Sequence, residues 1–436
     1  MEKITIDLNN VKGKIKPMNC VNNGPVVSRG MDNFNDYKSL KIPYARNHDA
    51  SYTDEWVVDV HRIFSDFNAD ENDPASYDFV RTDVLIKDTL AAGTKIFYRL
   101  GASIEHGKKY GTFPPADYLK WAKICEHIIL HYNEGFADGF NYGIEFWEIW
   151  NEPDCRNADG TNPCWQGTDD EFIEFFSVVA KYLKNRFPQL KIGGPAMCCV
   201  WNPFFEPFLA GISANGVKLD FFSYHFYSYT MDDFTTSVDR ANIYLAKYGY
   251  GDTMTIINEW NYAKGWTGEG WKETVMTEKS LKGASFVGAV MCTGQKKDLD
   301  MLMYYDARPC RMNGIFSTDF FDRLKGFYVF KAFSEVKELG NYIETEDSED
   351  FYSVCSTDGE NVRAMITYYK DETDEKEKEI NLSFFGDKLS GKVIEVYRLN
   401  EKNDLALSEK LILGKDGGET VLKIGLYETV YLKSVL

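Results

Sequence analysis

Two glutamates in this sequence directly follow apolar stretches, and their types and positions suit acid–base chemistry. Glu152 lies in FWEIWNEPD (146–154), where a run of large apolar residues meets an asparagine, the glutamate and a proline. Glu259 follows TMTIIN (253–258) in a similar way. A proline stops further sheet pairing because it lacks a backbone donor, so Glu152 would lie where a strand leaves its sheet. Glycoside hydrolysis needs such a pair: one carboxylic acid protonates the departing oxygen, while the other attacks the anomeric carbon or activates water.

The elements that would position these glutamates alternate between about residues 40 and 335. Short apolar runs without strict alternation are separated by amphipathic stretches, which is typical of a parallel sheet covered by helices. Eight such units predict a (β/α)₈ barrel, whose active site lies at the carboxyl ends of the strands. Glu152 would then follow the fourth strand and Glu259 the seventh. The predicted strands are KIPYAR (41–46), VHRIF (60–64), KIFYRL (95–100), IEFWEIW (144–150), KIGG (191–194), LDFFSYH (219–225), TMTIIN (253–258) and LDMLMYY (299–305).

The pattern changes after about residue 340, where short strand-like runs are separated by turn and charge clusters, as in an antiparallel β-sandwich. The segment ITIDL (4–8) also alternates and could add a strand there. We therefore predict a catalytic barrel over residues 14–335 and an accessory β-sandwich over residues 336–436, with a strand from residues 1–13. A doubly wound sheet is the alternative fold, but no glycine-rich dinucleotide loop follows the first predicted strand.

Charge and hydropathy exclude several classes of partner. The net charge of −18 would repel phosphate backbones and anionic membranes, so we expect no nucleic-acid or membrane partner. No apolar run reaches the ~18–20 residues needed to span a bilayer. The segment MEKITIDLNN also lacks the basic and apolar regions of a signal peptide. We therefore expect a cytoplasmic protein.

The nine cysteines are spread widely and show no repeating framework, so we expect mostly reduced, buried thiols. Cys155 and Cys164 flank a polar loop, and a disulfide between them stays open. The adjacent pair Cys198 and Cys199 could be mistaken for metal ligands, but no histidines cluster near it at zinc spacing. The sequence therefore predicts no metal and no cofactor.

The two glutamate motifs resemble those of a known family. WNEP (150–153) after the fourth strand, paired with NEW (258–260) after the seventh, resembles clan A glycoside hydrolases, which are retaining enzymes on a (β/α)₈ barrel. Within that clan the chain looks most like family 39, which includes β-xylosidases and α-L-iduronidases. The stretch PPADYLKWAKICEHIILHY (114–132) and the late β-rich segment support this resemblance. Cys155 and Arg156, just after the first motif, depart from the family pattern.

The resemblance implies that Glu152 is the general acid/base and Glu259 the nucleophile. The chemistry then requires a raised pKa for Glu152, among its apolar neighbours, so that it is protonated before attack. Glu259 must stay ionised, which requires donors close by. Arg46, at the end of the first predicted strand, is well placed to donate charge-assisted hydrogen bonds. Asn151 resembles the family residue that binds the sugar 2-hydroxyl.

Further side chains are expected around the mouth of the barrel. His225 and Tyr227 follow the sixth predicted strand, where clan A members commonly carry a residue that hydrogen-bonds the nucleophile. His48 and Asp49 follow the first strand and could bind sugar hydroxyls. A purely structural role is the alternative for each of them. The candidate substrate-binding residues are Asn151, Arg46, His48, Asp49, His106, His225, Tyr227, Trp260, Trp266 and Asp306.

The sequence thus predicts a retaining glycoside hydrolase that removes a terminal sugar from a small glycan by double displacement. A β-xyloside is the default substrate from the resemblance. Transglycosylation, another sugar such as a galactoside, arabinoside or uronide, and a non-catalytic glycan-binding role on the same scaffold all stay open. The expected partner is an oligosaccharide or glycoside. Anomeric linkage, exo or endo action, and the choice between monomer and homo-oligomer stay open as well.

Overall fold

The computed structural model of the chain describes residues 2–28, 30–50, 56–103, 110–345, 348–414 and 417–435. Its strands are β1 (Glu2–Asp7), β2 (Val11–Lys14), β3 (Cys20–Asn22), β4 (Val27–Ser28), β5 (Met31–Asp32), β6 (Tyr44–Arg46), β7 (Lys95–Leu100), β8 (Phe146–Ile149), β9 (Lys191–Met197), β10 (Phe221–Ser228), β11 (Met254–Tyr262), β12 (Met301–Tyr304), β13 (Asn341–Ile343), β14 (Phe351–Thr357), β15 (Val362–Tyr368), β16 (Glu377–Phe385), β17 (Val393–Leu399), β18 (Asp404–Ile412), β19 (Gly418–Gly425) and β20 (Thr429–Val435). Its α-helices are α1 (Phe34–Ser39), α2 (Val60–Ile63), α3 (Val80–Ala91), α4 (Tyr118–Asn133), α5 (Asp169–Arg186), α6 (Phe205–Ala214), α7 (Met231–Lys247), α8 (Gly268–Glu278), α9 (Leu281–Lys296) and α10 (Lys325–Glu338).

Eight parallel strands close into a barrel in the order β3, β6, β7, β8, β9, β10, β11 and β12, and β12 pairs back onto β3. This confirms the predicted (β/α)₈ barrel. One predicted strand is wrong. VHRIF (60–64) contains the short helix α2, and the first barrel strand is β3, so Arg46 ends the second strand. The apolar residues Val60 and Ile63 are both buried and lie one helical turn apart, which a β-branched run of this length does not reveal.

The barrel interior is layered from apolar to polar toward the carboxyl ends of the strands. Side chains on a strand alternate between its two faces, so residues two apart point the same way. Phe146 belongs to the apolar layer, and Glu148, two residues on, is also fully buried. On β10, Phe221 likewise belongs to the apolar layer, and the polar residue Ser223, two residues on, is buried. The apolar layer consists of Cys20, Phe97, Phe146, Phe221, Ile256, Met301 and Met303.

Helix α5 shows how the sequence holds this sheet in place. It begins with a capping box, in which the Thr168 hydroxyl accepts from the Glu171 N–H at 3.2 Å and the Glu171 carboxylate accepts from the Thr168 N–H at 2.7 Å. One face of the helix packs against β8 and β9. Each large apolar side chain buried there contributes about 1.5–3 kcal/mol. The predicted apolar face is fully buried: Phe172, Phe175, Phe176, Val179 and Leu183.

Two further sheets lie outside the barrel: one is antiparallel throughout, and in the other β1 runs parallel to β16. One is a seven-stranded sheet in the order β18, β17, β20, β15, β14, β13 and β2, and the other joins β1, β16 and β19. A separate apolar cluster lies between them. The N-terminal strands belong to these sheets: β1 pairs with β16, and β2 pairs with β13. Whether residues 14–335 and 336–436 are separate domains stays a prediction.

Within the described part of the chain, no helix combines the length and the apolar character needed to cross a membrane.

Candidate active site

A cavity of about 950 Å³ opens at the carboxyl ends of the barrel strands. Glu152 and Glu259 both line it. One carboxyl oxygen from each glutamate and one ring nitrogen of His225 lie within 4.8 Å of one another. His225 Nδ1 lies 2.8 Å from Oε1 of Glu152 and 3.4 Å from Oε2 of Glu259. Strands β8 and β11 therefore bring two carboxyl groups together although 106 residues separate them along the chain.

The backbone around Glu152 is fixed by the neighbouring strand. Glu152 has a left-handed conformation, with φ at 47°, and its N–H donates to the carbonyl oxygen of Ala196 at 2.8 Å. Only 13% of its side chain is exposed. Burial raises the pKa of Glu152 to about 8, and the neighbouring Cys155 raises it further, whereas Arg46 acts in the opposite direction. A carboxyl group with this pKa is mostly protonated at neutral pH.

Glu259 lies within strand β11, one residue past the predicted run, and two donors contact it. Arg46 Nη1 donates to Oε1 at 2.7 Å, and the Tyr227 hydroxyl donates to Oε2 at 3.0 Å. Burial raises the pKa of Glu259 above its ordinary value, whereas His225, when it is protonated, and the charge of Arg46 lower it. Burial also raises the pKa of Tyr227 well above its usual range, so this phenol stays neutral and able to donate.

His225 faces both carboxyl groups as a neutral ring. Burial lowers its pKa to about 4, and the charge of Arg46 lowers it as well, against the opposing effect of Glu259. At neutral pH the imidazole therefore adds no positive charge between the two glutamates. Its Nε2 is buried and has no hydrogen-bond partner among the described residues.

Arg46 is completely buried and connects the nucleophile candidate to the polar layer of the barrel. Besides its contact with Glu259, its Nη2 donates to Asn151 Oδ1 at 2.6 Å and its Nε donates to Glu148 Oε2 at 2.6 Å. A guanidinium group suits this position because its planar donors can serve several acceptors at once. The same side chain thus orients both Glu259 and Asn151.

Sequence reasoning missed Glu148, which accepts three hydrogen bonds in this network. Besides Arg46, the Ser223 hydroxyl donates to it at 2.6 Å and Asn258 Nδ2 at 2.7 Å. A signal was present in the sequence: Glu148 is a charged residue inside the apolar run IEFWEIW, and such residues are almost never fully buried unless paired.

Several other predicted residues also line the cavity. His48 Nε2 lies 3.7 Å from Oε1 of Glu259, and burial lowers the pKa of His48 well below its ordinary value. Asp49 Oδ2 accepts from the Tyr305 hydroxyl at 3.1 Å. Trp266 is 56% exposed and contacts Tyr227 edge to face, with ring centres 5.0 Å apart. An exposed ring on the cavity wall offers a surface on which a sugar can stack.

Of the predicted binding residues that the structure describes, four are not part of the cavity lining: Arg46 and Asn151 belong to the buried network at Glu259, and Trp260 and Asp306 make other contacts. Trp260 lies on strand β11 directly after Glu259, but its side chain is not part of the cavity lining. The Trp260 ring packs outside the barrel against Phe286 and Tyr304. Asp306 is fully buried and forms an ion pair with Arg308 at 3.1 Å. This contact fits a structural role for Asp306, which was the alternative to substrate binding. His106 lies outside the described residues.

All nine cysteines are free thiols. Cys155, Cys198 and Cys199 line the cavity and are partly exposed. Cys155 and Cys164 lie in hydrogen-bonding contact, with no disulfide between them.

Comparisons with known proteins agree with this architecture. The family model for glycosyl hydrolases of family 39 matches residues 2–258. A β-xylosidase from Geobacillus stearothermophilus is 27% identical over 181 residues, which cover 38% of this chain and 34% of that enzyme, so the match spans about a third of the relative's length. Among solved structures, a glucosidase from Croceicoccus marinus has a TM-score of 0.82 at 20% identity, with coverage of 100% of this chain and 99% of the other. A monomeric β-xylosidase from Caulobacter crescentus CB15 has a TM-score of 0.75 at 16% identity, with the same coverage. These two likenesses show a shared fold.

Proposed function

The chain belongs to glycosyl hydrolase family 39, and from this premise we propose that it is a retaining glycosidase that removes a terminal sugar from a small glycan. Glu152 acts as the general acid/base and Glu259 as the nucleophile of a double displacement. A β-xyloside is the default substrate, since two of the similar proteins are β-xylosidases. Residues 14–335 carry the reaction, and residues 336–436 brace the barrel together with residues 1–13.

The observation that carries this proposal is the short distance between the two carboxyl groups. Their nearest oxygens lie within 4.8 Å of each other. Retaining glycosidases hold the two groups ~5–5.5 Å apart, whereas inverting enzymes need ~6.5–9.5 Å to admit a water molecule between them and the sugar. The separation therefore favours direct attack by one carboxylate on the anomeric carbon.

In the first step Glu259 attacks the anomeric carbon while Glu152 gives its proton to the departing oxygen. The carbon–oxygen bond to the leaving group breaks, and an ester bond to Glu259 forms. The pKa of about 8 keeps the proton on Glu152 at neutral pH. Arg46 and Tyr227 hold Glu259 by one oxygen each. These two hydrogen bonds orient the Glu259 carboxylate before the sugar binds.

In the second step Glu152, now a carboxylate, takes a proton from a water molecule that attacks the anomeric carbon and releases Glu259. Glu152 can change role because esterification removes the negative charge of Glu259. That charge raises the pKa of Glu152, so its loss lowers the pKa of Glu152 and lets this residue act as a base. The sugar leaves with its original anomeric configuration because the carbon is inverted twice.

Two further groups are available to the sugar. Asn151 Oδ1 is occupied by Arg46, but its Nδ2 is buried and has no hydrogen-bond partner among the described residues. We propose that this amide donates to the sugar 2-hydroxyl, where the contact strengthens in the transition state. Trp266 supplies a stacking surface on the cavity wall.

A mechanism-based inactivator tests the assignment. A 2-fluoro glycoside with a good leaving group should form a stable ester on Glu259, which peptide mapping by mass spectrometry would locate. Glu259→Gln should form no adduct, while Glu278→Gln, at a buried glutamate outside the cavity lining, should still be labelled. An adduct on another residue would overturn the nucleophile assignment.

The substrate and the stereochemistry need a second measurement. A panel of aryl glycosides that differ in sugar ring and anomeric configuration should single out the preferred sugar, which we expect to be β-xylose. NMR of the first product should show the anomer of the substrate. Release of the opposite anomer would reject the retaining mechanism.

A further inference from the structure

A cluster of thiols next to Glu152 plays no part in the reaction proposed above. Cys155 and Cys198 line the cavity with Glu152, and the Sγ atoms of the two cysteines and one Glu152 oxygen lie within 4.8 Å of one another. The thiol of Cys164 lies 4.0 Å from Oε2 of Glu152.

The backbone, and not only side-chain rotamers, brings these groups together. The Cys155 N–H donates to the carbonyl oxygen of Glu152 at 3.1 Å and closes a tight turn after the motif. The Cys198 N–H donates to Asp154 Oδ1 at 2.9 Å, which joins the loop after β9 to the loop after β8. Both loops are therefore fixed to each other at the positions of the cysteines.

The donor set suits a thiophilic cation. Tetrahedral zinc binds sulfur at ~2.3 Å and carboxylate oxygen at ~2.0–2.2 Å, so its ligand atoms lie roughly 3.4–3.8 Å apart. The atoms in the cluster need to move by only about 1 Å to reach this geometry. Thiolates select soft or borderline cations such as Zn²⁺. The net charge of −18 also favours the approach of a cation.

A second possible set, formed by Glu152, His225 and Glu259, suits a cation less well. The buried Arg46 guanidinium already donates to Glu259 at 2.7 Å, so a metal ion there would face a fixed positive charge. Among the described residues, no arginine donates to the Glu152 oxygens, and the two cysteines of the thiol set are partly exposed on the cavity wall.

We propose that Glu152, Cys155 and Cys198 form an inhibitory binding site for a thiophilic cation such as Zn²⁺. Binding forms two metal–sulfur bonds and one metal–oxygen bond, and the protons held by the Cys198 thiol and the Glu152 carboxyl pass to solvent. A water molecule completes the coordination. Glu152 bound in this way has no proton to give to a leaving group, so turnover stops. The inhibitory effect rests on the proposed function, whereas the binding does not.

Cadmium tests the binding directly, since Cd²⁺ bound to thiolates absorbs in the ultraviolet. Titration of the full chain under a phosphine reductant should show one bound ion with thiolate absorption. Cys155→Ser and Cys198→Ser should each weaken binding by at least the roughly 10–100-fold that loss of an outer-shell partner costs. Cys199→Ser is the matched control, because this thiol lines the same cavity but is not one of the three ligands. It should bind Cd²⁺ like the parent.

Unchanged affinity in both the Cys155 and the Cys198 variants, or an equal loss in Cys199→Ser, would overturn the site. Melting curves check that each variant folds. If a serine variant does not fold, the alanine variant at the same position, Cys155→Ala or Cys198→Ala, is used in its place.

Inhibition is measured separately with buffered free Zn²⁺ and an aryl glycoside. The Zn²⁺ concentration for half inhibition should rise in Cys155→Ser and Cys198→Ser by the same factor as the dissociation constant. A chelator should restore the rate of the parent. Inhibition of equal strength in the parent and both variants would overturn the inhibitory role. A parent that binds Cd²⁺ through these cysteines but cleaves no glycoside would support the metal site and overturn the proposed function instead.

Discussion

Removal of one hydroxyl, in Tyr227→Phe, should shift the pH dependence of the reaction in a calculable direction. The Tyr227 hydroxyl donates to Oε2 of Glu259 at 3.0 Å and stabilises the ionised form of that carboxyl group. Hydrogen bonds to charged groups contribute about 1.5–3 kcal/mol, and one pKa unit corresponds to about 1.36 kcal/mol. Loss of the bond should therefore raise the pKa of Glu259, and the acid limb of activity should move by about one to two pH units.

The assay is the pH profile of kcat/KM on an activated aryl glycoside. A protonated nucleophile cannot attack, so activity is lost as pH falls through the pKa of Glu259, and a higher pKa moves this acid limb to higher pH. Tyr305→Phe is the control, because its hydroxyl also faces the cavity but donates to Asp49. Its acid limb should match that of the parent. A Tyr227→Phe acid limb at the parent position, or an equal shift in Tyr305→Phe, would refute the reasoning.

Two further predictions concern buried carboxyl groups. Burial raises the pKa of Glu152 to about 8, so kcat/KM of the parent should fall above about pH 8 as the protonated form of Glu152 disappears. The Glu152→Gln variant should not show this fall at high pH. Its kcat/KM on substrates with poor leaving groups should be lower than that of the parent by a factor of roughly 10²–10⁴. If Glu152→Gln still lost activity at high pH, a group other than Glu152 would be responsible for that loss. Burial also raises the pKa of Glu278 to about 9, and neither of its carboxyl oxygens has a hydrogen-bond partner among the described residues. Because the folded state favours the protonated form, stability should fall as pH rises from the ordinary carboxyl range toward 9. Urea unfolding of Glu278→Gln relative to the parent should therefore show a gain in stability that is about 4 kcal/mol larger at pH 8 than at pH 5, and a pH-independent difference would contradict this.

The sequence was sufficient to predict the barrel and the meeting of its two glutamates. The run before Glu152 and the run before Glu259 are long, apolar and followed by polar residues, and parallel strands present their carboxyl ends on one side. The short elements could not be predicted. Strand β3 has only three residues, and α2 only four, so neither shows a complete period of its own pattern.

The contacts of the site were predictable only in part. The sequence predicted that Arg46 donates a hydrogen bond to Glu259. It did not predict the hydrogen bond between Arg46 and Glu148, which depends on the alignment of β6, β7 and β8 around the barrel. The direction of the Trp260 side chain could not be predicted from the strand pattern. Strand β11 continues past the predicted end at residue 258 to Tyr262, and the adjacent residues Asn258 and Glu259 both contact groups inside the barrel, so strict alternation does not hold there.

The pairing of β1 with β16 has a consequence for how the protein is made. β1 leaves the ribosome long before the strand that pairs with it, which begins only at Glu377. At about 5–20 residues per second, β1 waits on the order of tens of seconds with both edges open. Such an edge invites pairing with other chains. A version of the protein truncated after the barrel would keep that edge open permanently, so we expect it to aggregate unless residues 1–13 are removed as well.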